Sequence, residues 1–511
     1  MKDHQNVSRR NVIATAVAAG CWGGIPGHAW PEPQPGQTGQ GFPAQTAPIP
    51  ALTPEERKGP VQIDQSGRNQ TARAAWSPSE DANKPMGVGR GVYPGRVVWV
   101  HNPKVATWDG VTESNKVVSG TGQWWDDANC NQDICTEMMS AAVLNTASEK
   151  SEKKAWELIF KEFNETHGFG NSGYKAGEKI AIKVNFNNDR SNTAQWTPGR
   201  GYPSPQMLQA FLRQLVQNAG VPGEDITVFD GASGRFISDP VYNRIMADPD
   251  ERLHKIHFQV NPPLAARGRE PVVADETDPI KFSDPKVGVC FQPVCVVEAK
   301  YRISYALLRG HEICGITCCT KNNNGSIYWP ARNYWGPSVY HGYITKARGI
   351  PAYNAFVDIL GHRQIGGKNL LNFIDGLYSG EQSETNVMRW QSFGDHWTSS
   401  ILMSQDPIAI DSVALDFIRN EPKQFGVHSL YRGEQGHADN WMHEAALIGN
   451  APSGTKYDPG QTGAVITHSL GVHEHWNNAT EKKYSRNLGK KEGIELVAIS
   501  AEAKKAAKGT A

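Results

Sequence analysis

A chain of 511 residues, 39% of them hydrophobic, can bury a large core and more than one domain. Its 52 basic and 52 acidic residues cancel and form no single-sign block, which argues against nucleic acid as a partner. With 51 Gly and 15 Trp, the composition suits an ordered fold with many tight turns and not a disordered chain.

The first segment reads as an address. Ser8, Arg9 and Arg10 precede a short, weakly apolar run from Val12 to Gly20, far below the ~20 residues that a membrane-spanning helix requires. The pattern resembles a twin-arginine export signal, which implies the twin-arginine translocase as a partner and a periplasmic or secreted destination. Small residues before Trp30 place cleavage after Ala29, giving a signal over 1–29. Lipidation at Cys21 is the less favoured alternative, because Ala18 stands in place of the usual leucine. No later apolar segment is long enough to span a bilayer, so the mature chain is expected to be soluble and without a transmembrane segment. Residues 30–90, Pro-, Gly- and Gln-rich at their start, suit an extended linker.

The α/β region is expected over 91–425. "GRVVWVHNP" (95–103) reads as a strand and "KKAWELIFKEFNETHG" (153–168) as a helix closing near Gly168. The clearest unit runs from Glu178 to Arg235. "KIAIKVNFNN" is a strand and "DITVFDGAS" a second one. Between them lies a helix with Ser204 as N-cap, Pro205 in its first turn, an apolar face of Met207, Leu208, Phe211, Leu212, Leu215 and Val216, and Gly220 as terminator. Strand, helix, strand at this spacing predicts a parallel βαβ unit. Further strands follow in "YRISYALL", "NLLNFIDG" and "SSILMSQDP", and Asp406 can cap a helix through Ile408, Val413, Ala414 and Phe417. The fold class is α/β: a mostly parallel sheet flanked by helices, with a smaller, His-rich C-terminal extension over 426–500 and a frayed tail over 501–511.

Open parallel sheets bind ligands beyond the carboxyl ends of their strands. Asn185, Asn187, Asp230, Ser233, Arg235, Arg309, His311, Asp375 and Asp406 are all placed there by the predicted strands. Lys183 is different: it sits inside an apolar strand, where an ammonium needs either a buried carboxylate or a ligand. In "LLRGHEICGITCCTKNNNGSIYW" (307–329), the Asn-Gly run after Lys321 suits a turn that exposes backbone N–H groups.

Excluding Cys21, seven cysteines remain: Cys130, Cys135, Cys290, Cys295, Cys314, Cys318 and Cys319. One or two structural disulfides plus buried thiols are expected, with a cysteine metal site as the alternative. No C-x-x-C-x-x-C cluster is present, so no iron–sulfur centre is expected. Near the C-terminus His473 and His475 lie two apart, which on a strand puts both imidazoles on one face. Together with His443 they form a candidate divalent-metal site, with His437, Glu444 and His468 as further candidate ligands.

The ordered motifs "AIKVNFNN", "PSPQMLQAFLRQLVQNAGV", "ITVFDGAS", "ALLRGHEICGITCCTKNNNGSI", "YH", "FIDGLYSG" and "SQDPIAIDSVALDF" resemble the family called domain of unknown function 362, over about residues 95 to 420. The chain is similar to the family's long exported members and lacks the cysteines of those with ferredoxin-like clusters. The resemblance carries family positions to Lys183, Asn185, Arg309, His311, Lys321, Asn322, Gly325, His341, Asp375, Gly376, Asp406 and Asp411. It implies a fold and a site but no reaction.

Three chemistries fit these residues. In an anion cradle, Lys183, Asn185, Asp230, Arg309, Asn322, Asp375 and Asp406 bind a ligand while His311, Lys321, His341 and Asp411 do chemistry on it. In a metal site, His311, His341 and a carboxylate bind a cation. In the third, the charges pair with one another to hold the core. No nucleophile elbow, phosphate loop or H-E-x-x-H motif is present. The expectation is an enzyme acting on a small anionic or carbohydrate-derived substrate, with a non-catalytic envelope protein binding a ligand or partner as the alternative.

Overall fold

The computed structural model describes residues 78, 80–113, 116–190, 193–232, 234–261, 267–328, 338–424 and 437–500. The export signal with Cys21, most of the 30–90 segment, Ser233, Trp329 and the tail 501–511 lie outside the described residues.

The strands that position the sites are β1 (Met86–Gly87), β2 (Arg96–His101), β3 (Ile180–Val184), β4 (Ile226–Asp230), β5 (His257–Val260), β6 (Glu270–Pro271), β7 (Tyr301–Leu307), β8 (Arg309–His311), β9 (Gly315–Thr317), β10 (Asn369–Gly376), β11 (Ser400–Ser404), β12 (Val472–His473) and β13 (Glu495–Ser500). Nine of them form one sheet in the order β13-β2-β11-β10-β7-β3-β4-β5-β6. Helices α1 (Gln132–Thr146), α2 (Glu152–Thr166), α3 (Pro205–Arg213), α4 (Cys319–Asn322), α5 (Ser338–Gly342), α6 (Pro407–Arg419) and α7 (Asn440–Ala446) complete the frame.

Both faces of the sheet are covered, because each central strand alternates between two apolar cores. Ile401 and Met403 of β11 join Trp156, Phe211, Tyr305 and Phe373 on one side. Leu402, between them, joins Ile374, Ile410 and Val413 on the other. The predicted βαβ unit is β3-α3-β4, with β3 and β4 parallel from Ile180↔Ile226 to Lys183↔Phe229. Ser204 caps α3 by accepting from Met207 N. The helix passes into a π-turn over Gln214–Asn218 and stops at Gly220, whose φ of +73° favours glycine.

One strand runs against the others. β11 is antiparallel to both β10 and β2, while the other six pairings of the sheet are parallel. Gly376 pairs with Ser400, so the chain between them returns at the same edge without crossing the sheet. This corrects the expected placement of Asp406: β11 carries it to the opposite edge from Asp375.

Within the expected 30–90 linker, β1 pairs with β12, Met86 opposite His473. In the C-terminal extension, β13 adds a parallel edge strand beside β2, and Arg96 meets Glu495 at 2.9 Å. All seven described cysteines are buried free thiols, so the expected disulfides are not formed. Among the described residues no helix is long and apolar enough to cross a membrane.

Candidate functional site

Beyond the end of β7 the chain places Arg309 almost wholly inside the protein, 1% exposed. Its contacts are weak for a guanidinium: Nη1 donates to Gly201 O and Nη2 to Asn185 Oδ1, both at 3.4 Å, and Nε has no partner. Among the described residues no carboxylate lies within ion-pair distance of it. Burial pushes its pKa down to about 10. Asn185 also accepts from Asn187 N, and Asn187 Oδ1 accepts from Arg235 Nη2 at 2.7 Å, so neighbouring asparagines orient two guanidinium groups.

More positive charge gathers here. Burial first, then Lys321, His341, Arg309 and Lys346, hold His311 well below the usual imidazole range. Nδ1 of His311 accepts from Ile313 N at 3.1 Å, so the proton of the neutral ring resides on Nε2, which has no hydrogen-bond partner among the described residues. Burial and Arg235 and Arg309 also depress Lys321, with Cys314 and Asp230 opposing, and Lys321 Nζ makes no hydrogen bond or ion pair among the described residues. Burial brings Lys346 down to about 8. His341, on α5, is 8% exposed and neighbours His311 electrostatically.

The other expected site residues, Asp406 apart, lie beneath this surface and hold its shape. Lys183 Nζ meets Asp230 Oδ2 at 3.0 Å, with the side chains 2% and 3% exposed. The strand lysine therefore has its buried carboxylate. It also donates to Val184 O and to Asn322 Oδ1, while Asn322 Nδ2 donates to Lys183 O, Ser304 Oγ and Tyr305 O. A Cβ on Gly325 would sit 1.9 Å from Lys183 Cε and 2.3 Å from Asp230 Oδ1, so only glycine lets the turn close over this pair. Asp411 accepts from Cys319 N and Thr320 N and thereby fixes α4, and burial raises its pKa to about 7. Asp375 accepts from Ser204 N, Leu377 N and Tyr305 Oη and is raised by burial to about 6. Asp406 caps α6 through Ile408 N and Ala409 N at the far edge.

A second cluster is built where α6, α7 and β12 meet. Nε2 of His473, His475 and His443 lie 2.8, 3.1 and 3.1 Å from one oxygen, Glu80 Oε1. Asp439 Oδ2 lies 3.7 Å from His475 Nε2 and 3.8 Å from His443 Nε2. Glu80, Asp439, His473 and His475 each offer a ligand atom, all within 4.8 Å of one another, so this group could hold a metal ion. The outer nitrogens are oriented: His475 Nδ1 meets Asp416 Oδ1 at 2.7 Å and His473 Nδ1 meets Ser412 Oγ at 2.8 Å. Asp439 is fully buried, yet neither of its side-chain oxygens accepts a hydrogen bond among the described residues. A buried carboxylate so placed fits a cation.

Of the residues in and beside this cluster, His443, His473 and His475 are legible in the sequence, and Glu80 and Asp439 are not. Of the other candidates, Glu444 is engaged with Ser453 and Tyr457, and His468 meets the Thr467 hydroxyl in an exposed setting. The spacing of Asp439 and His443, four apart across the start of α7, was a usable signal for Asp439. Nothing local marks Glu80. The anticipated alternative of His311, His341 and a carboxylate as metal ligands finds no such grouping among the described residues.

The model of the family described as "Domain of unknown function (DUF362)" matches residues 180–416. A comparison with curated proteins found no match. The matched range spans β3 to α6, so it includes the cationic edge but not Glu80, Asp439, His443, His473 or His475.

Proposed function

We propose, from the match of residues 180–416 to the model of domain of unknown function 362, that the protein is an exported enzyme acting on a small anionic or carbohydrate-derived substrate. The observation that supports this best is the buried Arg309 guanidinium with no carboxylate beside it among the described residues. Glu384 acts on Arg309 only from beyond ion-pair distance and is itself paired with Arg190; a buried cation so weakly compensated is costly, and a bound carboxylate or phosphate supplies the missing contact. In this reading Arg309 and Lys321 bind the anion. His311 presents an Nε2–H that donates to the ligand or to a leaving oxygen, and His341 stands beside it as a second proton-handling group. Lys183, Asn185, Asp230, Asn322, Asp375 and Asp411 are positioning residues. Asp406 leaves the ligand set because it lies at the other edge.

Titration of the mature protein with inorganic phosphate and with small carboxylates, followed by calorimetry, tests this. Arg309→Met is expected to weaken binding roughly 10- to 100-fold, the equivalent of one charge-assisted hydrogen-bond pair. Equal binding by the variant refutes the site. Binding without turnover on any substrate in a panel points to the non-catalytic envelope protein instead.

The unsatisfied Asp439 carboxylate supports a second element of the reading: one divalent transition metal held at the group containing Asp439, His473 and His475, with His443 alongside. Three imidazoles and a carboxylate, with no sulfur, suit such an ion. When bound, it would supply Lewis-acid or structural stabilisation. Asp416 and Ser412 would keep the metal-facing nitrogens aimed. Elemental analysis of native protein, showing about one equivalent, is the test.

A further inference from the structure

We propose that Glu80 is the closing ligand of this metal centre, and that residues 80–87 form a strap which covers a coordination position otherwise open to a small anion. The inference rests on the metal reading above and concerns what happens at the ion's outer side.

Three observations carry it. First, Asp439, His473 and His475 of this group, and His443 beside them, come from one stretch near the C-terminus. Glu80 comes from elsewhere, 363 residues from His443 and 393 from His473. Second, Glu80 is the ligand nearest solvent: its side chain is 15% exposed, against 0% for Asp439 and His473, 1% for His475 and 7% for His443. It lies over the centre like a lid, held by Asn83 N donating to His475 O at 2.9 Å and by the β1–β12 pairing of Met86 with His473.

Third, the charges balance only when Glu80 is included. Asp416, behind His475, is matched by Arg419 at 3.0 Å and so contributes little net charge to the ion. A divalent ion with three neutral imidazoles and Asp439 carries one surplus positive charge in a buried site. Glu80 cancels it. Without Glu80 the same low-dielectric setting would draw in an exogenous anion.

The experiment uses the mature full chain loaded with cobalt(II), whose visible absorption reports its ligands, and sodium azide as the probe anion. Wild type, Glu80→Ala and Glu80→Gln are compared for cobalt content, visible spectrum and azide response. Both variants are expected to keep about one equivalent of cobalt, with an altered spectrum that shifts further with azide, while the wild-type spectrum stays unchanged by it. Cleavage by protease on the N-terminal side of β1 is expected to be slower in metal-loaded than in metal-free wild type, and this difference is expected to vanish in the variants. If wild type holds no cobalt, the metal reading itself fails. If cobalt is held and the variants match wild type in spectrum and azide response, Glu80 is not a ligand and the strap is refuted. Loss of all cobalt from both variants, or an azide response in wild type, also overturns the proposal, since the first makes Glu80 essential and the second leaves the centre already open.

Discussion

Replacing Lys183 and Lys321 separately with Met distinguishes residues that hold the fold from residues that serve a ligand. Lys183 is paired at 3.0 Å with Asp230, and both side chains are at most 3% exposed. Lys183→Met leaves the Asp230 carboxylate buried without its cation and removes the hydrogen bonds to Val184 O and Asn322 Oδ1. Breaking one side of a buried pair costs about 3–5 kcal/mol. At about 2 °C per kcal/mol for a large domain, the melting temperature should fall by roughly 6–10 °C. Lys321 differs: among the described residues no hydrogen bond or ion pair to its ammonium is lost on substitution, and Arg235 and Arg309 repel it, with Cys314 and Asp230 opposing. Lys321→Met should therefore change stability by about 0.5 kcal/mol or less, or raise it, because like charges gathered for a ligand strain the empty site. Anion binding should weaken by roughly 10-fold or more. Thermal melts and phosphate titrations of the two variants, side by side, read both quantities. If Lys321→Met melts as low as Lys183→Met, Lys321 belongs to the structure, and the assignment of the cationic edge to a ligand is wrong.

Replacing both His473 and His475 with Ala should remove about one equivalent of metal and lower the melting temperature, since metal binding adds to folding free energy; unchanged metal content and melting would rule these residues out as ligands. Asp411, held near 7 by burial against an ordinary value of 3.8, binds its proton more tightly when folded. Its contribution to stability is thus full below about pH 4 and is lost as the pH rises through about 7. Asp411→Asn should flatten the corresponding part of the melting-temperature profile between pH 4 and 7, and a profile parallel to wild type would contradict the raised pKa. Arg9→Lys with Arg10→Lys should leave the precursor in the cytoplasm, scored by cell fractionation and blotting; mature protein outside the inner membrane at normal level would refute twin-arginine export.

Much of the frame was readable from local sequence because local chemistry determines it. The apolar face from Met207 to Leu212 and the Ser204 cap specify α3 within a few residues. Asp406 and Pro407 specify the start of α6 in the same way. Lys183 inside an apolar strand already demanded a partner, because an isolated buried ammonium is not tolerated, and Asp230 on the neighbouring strand meets that demand. The pair His473 and His475 announced a shared face by its spacing.

Strand direction and long-range convergence were decided only in the folded chain. A strand's apolar pattern is the same whichever way it runs, so nothing in "SSILMSQDP" told that β11 lies antiparallel and carries Asp406 to the far edge. In sequence Asp375 looks fit to bind a ligand and Asp411 to do chemistry, yet the backbone N–H groups they accept from make both supports. Glu80 lies in a stretch that reads as linker, and its meeting with His473 across 393 residues depends on β1 pairing with β12. Side-chain periodicity encodes which face of an element is buried; which distant elements then share that face follows from the topology of the whole sheet.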